Sequence, residues 1–460
     1  MKLNIKKGII SKGVIVIIIS IVIFLLFNCN QSINKTGKVS KPNIMIFVAD
    51  DAGWHDVEYH GSEIKTPNID KLVKNGVELD NFYVYPTCSP TRASLLTGKY
   101  ASRFGIAGPI AMKSKQSLPE KVKTLPEVLQ DAGYFTAITG KWHLGLDLSK
   151  GPQKYGFDYT YGYLHGQIDQ YTHRYKNGDR SWYRNGKFIN EEGHATDLIT
   201  NEVIKLITKK RDRSKPFFIY VPYSVPHYPL QEEDKWTRQY QNLNDYDSRK
   251  IFDASVTHMD YSIGKIIGIL EKEDLLDKTL IIFFSDNGGQ NNWTPTFEYD
   301  GKYGPYPKMG VNLPLRGQKH DVFEGGIRVP AVISWEGELP HKKIERLIKI
   351  TDIFPTIASL INPRSLDSLN LDGKSVWDII ESKNISKEER SLYIRTKNTF
   401  AFRKGDWKLI HFGESLDRGT EELYNIKTDP YETKNVIKKN TQIRNELFKE
   451  LQKQIKLDGK

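Results

Sequence analysis

The chain has 460 residues and a formal net charge of +11, with 27% charged and 38% hydrophobic residues. This length and balance exclude a largely disordered protein and suffice for one large domain with a smaller one. The basic excess suits an anionic substrate, and it suits a solvated surface equally well. Because no dense run of lysine and arginine is interleaved with aromatic residues, the sequence does not favour nucleic-acid binding.

The N-terminal residues have the pattern of a targeting segment. Basic residues precede an apolar run at 14–27, which is short for a membrane span and typical of a signal-peptide core. Cys29 follows this run, as in bacterial lipoprotein signals, where the cysteine is lipidated. We therefore expect a signal peptide at 1–28, a polar tether at 29–41, export to the periplasm or cell surface, and membrane attachment through Cys29. Because Phe27 and Asn28 match the usual small-residue pair poorly, ordinary cleavage and an uncleaved anchor are the alternatives.

Four apolar, β-branched segments end abruptly in polar residues. They are residues 43–49, 134–139, 217–221 and 280–284. Such runs predict strands that are buried on both faces of a sheet. Amphipathic stretches predict helices at 69–75, 125–132, 195–209 and 255–271. The alternation of strands and helices indicates an α/β fold with a mostly parallel sheet.

Polar side chains follow each of these predicted strands. Ligands of parallel sheets bind beyond the carboxyl ends of the strands, so we expect these side chains to meet in one site. They are Asp50, Asp51, Lys141, His143, His227, Asp286 and Asn287.

The pattern changes in the last ninety or so residues. Short alternating runs at 392–395, 399–403 and 407–411 predict a small antiparallel sheet, with a hairpin turn at 404–406. A final helix is predicted at 441–455. We place a main domain at 42–368 and a C-terminal α+β subdomain at 369–460.

The most specific motif is CSPTRASLLTG at residues 88–98. It resembles the signature of type I sulfatases, C-x-P-x-R followed by A-S-L-L-T-G, and matches every defining position. A buried structural cysteine is the alternative for Cys88 alone, and Pro90 and Arg92 in register disfavour it. Further segments resemble family landmarks in the right order. They are 50–51, 140–145, 226–231, 285–289, 315–330 and 405–435.

The resemblance covers nearly all of the chain after the tether. It implies an alkaline-phosphatase-like catalytic domain at 42–368, in which helices flank a central, mostly parallel sheet. It also implies that the C-terminal subdomain combines a small antiparallel sheet with a helix.

In this family a maturation enzyme oxidises the signature cysteine to formylglycine, and the hydrated aldehyde is the nucleophile. The covalent sulfate leaves when the diol returns to the aldehyde, whereas a serine or cysteine would need water to attack the sulfated enzyme. The resemblance therefore implies that Cys88 is converted and that a formylglycine-generating enzyme is a partner. The only other cysteine is Cys29, in the targeting segment, so we expect no disulfide.

Asp50, Asp51, Asp286 and Asn287 form two pairs of oxygen donors at two strand ends. Hard oxygen donors favour Ca²⁺ or Mg²⁺ over Zn²⁺. One such pair alone is more often a cap or turn element, but two pairs that each end a buried strand favour a metal site. In sulfatases the matching residues bind Ca²⁺ together with the formylglycine. The resemblance thus implies one Ca²⁺ per chain, held by these four residues and Cys88.

Lys141, His143, His227 and Lys319 supply positive charge and protons. The resemblance implies that Lys141, His227 and Lys319 hold the sulfate, since fixed cations stabilise developing negative charge. Either His227 or Lys319 would protonate the leaving alcohol. His143 would assist release of the enzyme-bound sulfate, and Arg92 would orient the formylglycine. Each residue alone is more often a surface or core residue, so the prediction depends on the set.

The segment at 161–173 is rich in aromatic, amide and imidazole groups, which suit a carbohydrate site. A structured loop with ordinary packing is the alternative. His320 stands where the family often has a small residue after the lysine. Asn291, which comes shortly after Asp286 and Asn287, is a further candidate. In all we select five candidate substrate-binding residues. They are His165, Gln167, His173, Asn291 and His320.

Together these features predict an exported, Ca²⁺-dependent sulfatase that acts on a sulfated carbohydrate, such as an algal polysaccharide. The lysine-, asparagine- and isoleucine-rich composition and the leader favour a bacterial source. One alternative is a phosphonate or phosphate ester hydrolase of the same superfamily, some of which also carry formylglycine. Another is a surface polysaccharide-binding lipoprotein that has lost catalysis, which the intact set of site residues disfavours.

Overall fold

The structure is a computed structural model that describes residues 41–243, 246–295, 297–361, 369–381 and 389–459. The predicted signal peptide at 1–28 and nearly all of the tether at 29–41 lie outside these ranges and stay predictions. Across the described part of the chain, no helix combines the length and apolarity that a membrane crossing requires.

The strands are numbered in chain order. They are β1 (Asn43–Ala49), β2 (Gly76–Leu79), β3 (Phe82–Tyr83), β4 (Phe135–Lys141), β5 (Tyr159–Tyr163), β6 (Trp182–Arg184), β7 (Lys187–Phe188), β8 (Phe217–Pro222), β9 (Thr279–Ser285), β10 (Ala331–Ser334), β11 (Lys342–Ile344), β12 (Ile348–Lys349), β13 (Ser391–Arg395), β14 (Thr399–Lys404), β15 (Trp407–Ser415) and β16 (Arg418–Asn425).

The α-helices are numbered in the same way. They are α1 (Pro67–Lys74), α2 (Cys88–Thr97), α3 (Leu125–Asp131), α4 (Ala195–Lys205), α5 (Asp234–Thr237), α6 (Asp247–Lys272), α7 (Glu324–Ile327), α8 (Ile353–Ile361), α9 (Trp377–Glu381) and α10 (Thr441–Ile455).

Ten strands form the central sheet, in the order β11-β2-β10-β9-β1-β8-β4-β5-β6-β7. The five central strands, from β9 to β5, run parallel, and antiparallel strands flank them on both sides. Every residue of β1 and β9 is buried, as expected of strands that are covered on both faces. The predicted α/β fold with a mostly parallel sheet is therefore confirmed.

Helices cover both faces of this sheet. Alternate residues of β1 point to opposite sides, so that Ile44 and Ile46 join one hydrophobic cluster while Met45 and Phe47 join the other. The first cluster includes residues of α2, α3, α8 and the C-terminal sheet. The second includes residues of α1, α4 and α6. The central strands are thus held rigidly between two apolar layers, which fixes the positions of their carboxyl ends.

The C-terminal part forms a separate antiparallel sheet in the order β13-β14-β15-β16. The predicted hairpin joins β14 to β15, and Gly405 adopts a φ of 55° in its two-residue turn, as such turns require. The predicted final helix is α10. Its Leu447 and Leu451 are buried in the first hydrophobic cluster. The predicted boundary between 368 and 369 adjoins the undescribed residues 362–368, so the domain limits stay a prediction.

The sequence reading missed the fourth strand of this sheet and the short outer strands of the central one. In β16 the first residues are charged, polar or glycine and are exposed, so no apolar alternation marks it. Several outer strands of the central sheet have only two to four residues, too few for a periodic signal. The formation of these strands depends on hydrogen bonds to neighbouring strands and not on a pattern in their own sequence.

A buried charge cluster ties α7 to the C-terminal sheet. Lys408 Nζ on β15 lies 3.0 Å from a Glu324 carboxylate oxygen and 2.8 Å from one of Glu432. Burial raises the pKa of Glu432 to about 7, although Lys408 opposes the shift. Because Lys319 precedes Glu324 by one short segment, this cluster anchors the part of the chain that carries Lys319.

Candidate active site

Two pairs of oxygen-bearing side chains lie side by side at the carboxyl edge of the sheet. Asp50 and Asp51 follow β1, Asp286 and Asn287 follow β9, and the two strands are neighbours in register up to their last residues. All four side chains are buried. The Asn287 amide donates to Asp51 Oδ1 at 2.8 Å. The predicted convergence of these residues is present in the structure.

Each of the three carboxylates contacts a buried cation. Buried charges are tolerated only when they are paired, and loss of one partner leaves the other desolvated. The pairs, with their shortest nitrogen–oxygen distances, are Lys141–Asp50 at 2.6 Å, Arg92–Asp286 at 2.6 Å and Lys319–Asp51 at 2.7 Å. The site therefore holds three positive side chains against three negative ones within one buried cluster.

Cys88 is the first residue of α2, and its thiol contacts His143. The Cys88 Sγ lies 3.1 Å from His143 Nδ1, and His143 Nε2 lies 3.1 Å from the Ile110 carbonyl oxygen. Since a carbonyl can only accept, Nε2 carries the ring proton and Nδ1 accepts from the thiol. Burial raises the pKa of the Cys88 thiol and holds the pKa of His143 well below its usual value. The unmodified side chain is thus a neutral thiol, a weak nucleophile.

The His143 ring is fixed by its surroundings. Ser89 Oγ donates to the His143 carbonyl at 2.9 Å. A Cβ atom on Gly166 would lie 2.5 Å from the His143 ring, closer than any side chain allows. A residue larger than glycine at position 166 would therefore displace the imidazole from Cys88.

His227 and Lys319 form a second contact between proton-carrying groups. His227 Nδ1 donates to the Tyr228 carbonyl at 2.7 Å, and Nε2 accepts from Lys319 Nζ at 3.1 Å. Burial and the neighbouring Lys319 charge hold the pKa of His227 well below its usual value. The imidazole is neutral, and Lys319 carries the proton between the two groups.

The acidic cluster fits an oxygen-bound cation. Asn287 Oδ1 is buried and has no hydrogen-bond partner among the residues that the structure describes, and buried polar atoms are rarely left so. Burial raises the pKa of Asp50 to about 7 against the opposing charge of Lys141. A divalent cation with oxygen ligands would satisfy the amide oxygen and favour the ionised carboxylate. His227 also lies near Asp50 and Asp51, but its Nε2 is engaged by Lys319.

A cavity of about 360 Å³, here called the catalytic cavity, lies beside this cluster, because Lys319 and His227 in its lining contact Asp51. It is lined by six residues selected from the sequence, which are Cys88, His143, Gln167, His227, Lys319 and His320. The other lining residues were not selected from the sequence. They are residues 109–112, Gly166, Tyr175, Lys176 and Tyr228. Residues 109–112 lie outside every α-helix and strand and outside every recognised motif. No sequence signal identifies the Ile110 carbonyl that binds His143.

Three of the selected substrate-binding residues lie outside this cavity. His165 lines an adjoining cavity. His173 is buried, contacts the Gly193 carbonyl and stacks on Trp182 at 4.5 Å between ring centroids. Asn291 lines a third cavity, together with residues 307–308 and 310–317. Composition alone does not distinguish a side chain that faces a cavity from one that packs in the interior.

A second group of candidate metal ligands, His194, Glu232 and His258, lies away from the catalytic cavity. His194 Nδ1 accepts from a backbone N–H and Nε2 contacts a backbone carbonyl. A metal at Nε2 would require the ring proton to be on Nδ1. The backbone N–H that donates to Nδ1 leaves no room for a proton there, so His194 does not suit a metal. His258 Nδ1 lies 2.9 Å from Glu232, and Nε2 lies 3.5 Å from Asp197. The group is therefore a buried ion pair around a protonated His258.

This ion pair predicts a pH-dependent stability. Burial lowers the pKa of His258, but the neighbouring carboxylates of Asp197 and Glu232 outweigh burial and raise the pKa to about 9. A group whose pKa is higher in the folded than in the unfolded state stabilises the fold. This contribution is complete below the unfolded-state pKa, about 6.5, and is lost as the pH rises through the folded-state pKa, about 9. We expect His258→Gln to lower the free energy of unfolding by about 2–3 kcal/mol at pH 6 and by much less at pH 10.

Urea denaturation at the two pH values measures the difference. His341→Gln is the control, because its ring contacts a backbone carbonyl and no carboxylate of a described residue. An equal loss for His258→Gln at both pH values would contradict the ion pair.

Comparison with known proteins identifies the family. Residues 42–363 match the family described as Sulfatase, and residues 318–457 match that described as N-sulphoglucosamine sulphohydrolase, C-terminal. The chain belongs to the sulfatase family. This confirms the resemblance carried by residues 88–98, and it places the chain among enzymes.

Two curated relatives and one solved structure show how far the similarity extends. The chain is 35% identical to arylsulfatase J of Mus musculus over 363 residues, which cover 75% of this chain and 56% of that protein. It is 26% identical to N-acetylgalactosamine-6-O-sulfatase of Bacteroides thetaiotaomicron over 503 residues, covering 92% and 96%. The crystal structure of Ps i-CgsB in complex with k-i-k-neocarrahexaose is 31% identical, covers 91% and 94%, and gives a TM-score of 0.80.

Proposed function

We propose that this enzyme hydrolyses a sulfate ester of a sulfated carbohydrate, using formylglycine at position 88 and a bound Ca²⁺. The observation that carries the proposal is the cavity in which Cys88, His143, His227 and Lys319 meet above the acidic cluster. Two relatives support the substrate class, since one is named for a sulfated amino sugar and another was solved with a neocarrahexaose.

Asp50, Asp51, Asp286, Asn287 and residue 88 would hold the cation. When bound, Ca²⁺ would neutralise sulfate charge and polarise the nucleophile. The protein keeps these ligands in place through the Arg92–Asp286 and Lys141–Asp50 contacts. Lys141 and Lys319 add fixed positive charge where negative charge develops in the reaction, and such preorganised charge is a major catalytic contribution.

Formylglycine at position 88 would supply a nucleophile whose sulfated form releases sulfate without attack by water. His143 is oriented to serve this position. Its Nδ1 lone pair faces Cys88 Sγ at 3.1 Å, and its Nε2 proton is held by the Ile110 carbonyl. His143 would therefore accept a proton from the group at position 88 when the enzyme-bound sulfate is released.

Protonation of the leaving alcohol is assigned to Lys319. His227 and Lys319 were the two candidates, and both line the cavity. In their mutual contact Lys319 Nζ donates and His227 Nε2 accepts, so Lys319 holds the proton. His227 orients the ammonium group and can take up a proton at Nε2 afterwards.

A comparison of esters with a shared leaving group tests the proposal against the phosphonate and phosphate ester alternative. We expect kcat/KM for 4-nitrophenyl sulfate to exceed that for 4-nitrophenyl phosphate and 4-nitrophenyl phenylphosphonate by about 100-fold or more. We also expect prolonged dialysis against a Ca²⁺ chelator to lower the rate about 100-fold, with recovery on addition of Ca²⁺. A preference for the phosphonate, or full activity after chelation, would contradict the proposal. The absence of turnover on any ester would favour the binding-protein alternative.

A further inference from the structure

A second cavity, of about 450 Å³, adjoins the catalytic cavity. Met112 and Tyr175 line both cavities. The backbone also links them, since His165 lines the second cavity and Gln167, two residues on, lines the first. The volume lies within the range of about 300–1,000 Å³ that is usual for small-ligand sites. A ligand of two joined sugar residues can therefore occupy both cavities at once.

Two aromatic rings that stack on each other lie where the two cavities adjoin. The rings of His165 and Tyr175 stack with 4.3 Å between centroids and 18° between planes, and both side chains are largely buried. Burial lowers the pKa of His165 to about 4, so the ring is neutral at neutral pH. The buried, stacked pair therefore gives the cavity a rigid and uncharged part of its lining.

Two lysines of the lining of the second cavity lie at the protein surface. Lys113 and Lys115 are exposed, and neither has an ion-pair partner among the described residues. The third lysine of the lining, Lys150, is paired with Glu120 at 2.9 Å. Exposed ammonium groups beside a cavity attract an anionic substituent over a long range, and each ion pair formed there is of modest strength.

The two carboxylates of the lining are already held by neighbouring groups. Asp147 Oδ1 accepts from the Ser149 N–H at 2.7 Å, and Asp179 Oδ2 accepts from the Asn177 amide at 2.7 Å. The hydrogen bonds to Ser149 lower the pKa of Asp147. Carboxylate oxygens accept hydrogen bonds, so they suit sugar hydroxyl groups. Lysines for an anion and carboxylates for hydroxyl groups, in one cavity lining, together suit a charged sugar.

We propose that this second cavity binds the sugar residue next to the one that loses its sulfate, and that Lys113 and Lys115 recognise a sulfate ester on that neighbouring residue. The inference rests on the proposed function, because it assigns the substrate of the same site. It makes the substrate a glycan that carries sulfate on adjacent residues.

Competition with dextran sulfate oligosaccharides tests the assignment, with 4-nitrophenyl sulfate as the reporter substrate. We expect Lys113→Ala/Lys115→Ala to raise the inhibition constant of dextran sulfate about tenfold. Its kcat and KM for 4-nitrophenyl sulfate should stay within about twofold of wild type, since both lysines lie outside the catalytic cavity. Lys438→Ala/Lys439→Ala is the matched control, because it removes the same charge from an exposed turn. An unchanged inhibition constant in the first variant, or an equal rise in the control, would overturn the proposal.

Carboxymethyl dextran separates a sulfate site from a site for any anionic sugar. We expect it to inhibit the wild-type enzyme at least about tenfold more weakly than dextran sulfate of the same length and charge density. Equal inhibition would overturn the assignment to sulfate. If the wild-type enzyme releases sulfate from no sulfate ester, the proposed function fails first. Calorimetric measurement of dextran sulfate binding to the same three proteins then tests the cavity assignment separately. We expect about a tenfold loss of affinity in Lys113→Ala/Lys115→Ala and none in the control.

Discussion

Cys88→Ser should reduce steady-state sulfate release by on the order of 10⁴-fold or more. Serine fits the position beside His143, but its sulfate ester can be cleared only by water, whereas a formylglycine diol expels sulfate unaided. We therefore expect the variant either to be inert or to stop after a single turnover. Single-turnover kinetics with 4-nitrophenyl sulfate and intact-mass analysis measure this outcome, and a trapped sulfate adds about 80 mass units.

The fold should survive the exchange, because serine is close to cysteine in size and the cost at one buried position is about 1 kcal/mol. Thermal unfolding of the variant provides that control. Sustained turnover near the wild-type rate in Cys88→Ser would show that position 88 is not the nucleophile.

Asp286→Ala should both inactivate and destabilise the enzyme. Arg92 donates to Asp286 through Nε and Nη2 at 3.0 and 2.6 Å, and both side chains are buried. Removal of the carboxylate leaves a buried guanidinium without its main partner, so we expect a loss of about 3–5 kcal/mol in the free energy of unfolding. Urea denaturation measures the loss, and 4-nitrophenyl sulfate hydrolysis measures the activity.

A double-mutant cycle separates this ion pair from a general packing effect. Arg92→Ala/Asp286→Ala should lose less stability than the sum of the two single variants, because no charge is left unpaired. Asp131→Ala removes one partner of the exposed Lys123–Asp131 pair and should cost less than about 1 kcal/mol. Additive losses at Arg92 and Asp286 would contradict the account of this contact.

The sequence predicts the catalytic side of the sheet well because two independent signals agree there. The apolar runs that became β1, β4, β8 and β9 are long, and all of their residues except Phe135 are buried. Parallel strands bring their carboxyl ends to one edge. The motif at 88–98 adds the reacting residue and its helix. Every residue of this helix, α2, is buried, so it has almost no amphipathic pattern. The prediction of the reacting residue therefore depended on residue identity and not on periodicity.

The remainder of the site depends on tertiary contacts that leave no local pattern. The Ile110 carbonyl sets the tautomer of His143, yet any residue at position 110 would offer a carbonyl. Gly166 is needed because the His143 ring occupies the space of a side chain, which only the folded structure shows. His173 and Asn291 have the right chemistry for a sugar, but the backbone directs them elsewhere.

The mass of the peptide that contains Cys88 tests the central claim most directly. The enzyme should be produced with its formylglycine-generating enzyme, digested and analysed by mass spectrometry, with sulfate release measured on the same preparation. Conversion of the CH₂SH group to an aldehyde lowers the peptide mass by about 18 mass units, and the account predicts this loss in active enzyme. An unmodified Cys88 thiol in a preparation that turns over sulfate esters would contradict the proposed mechanism.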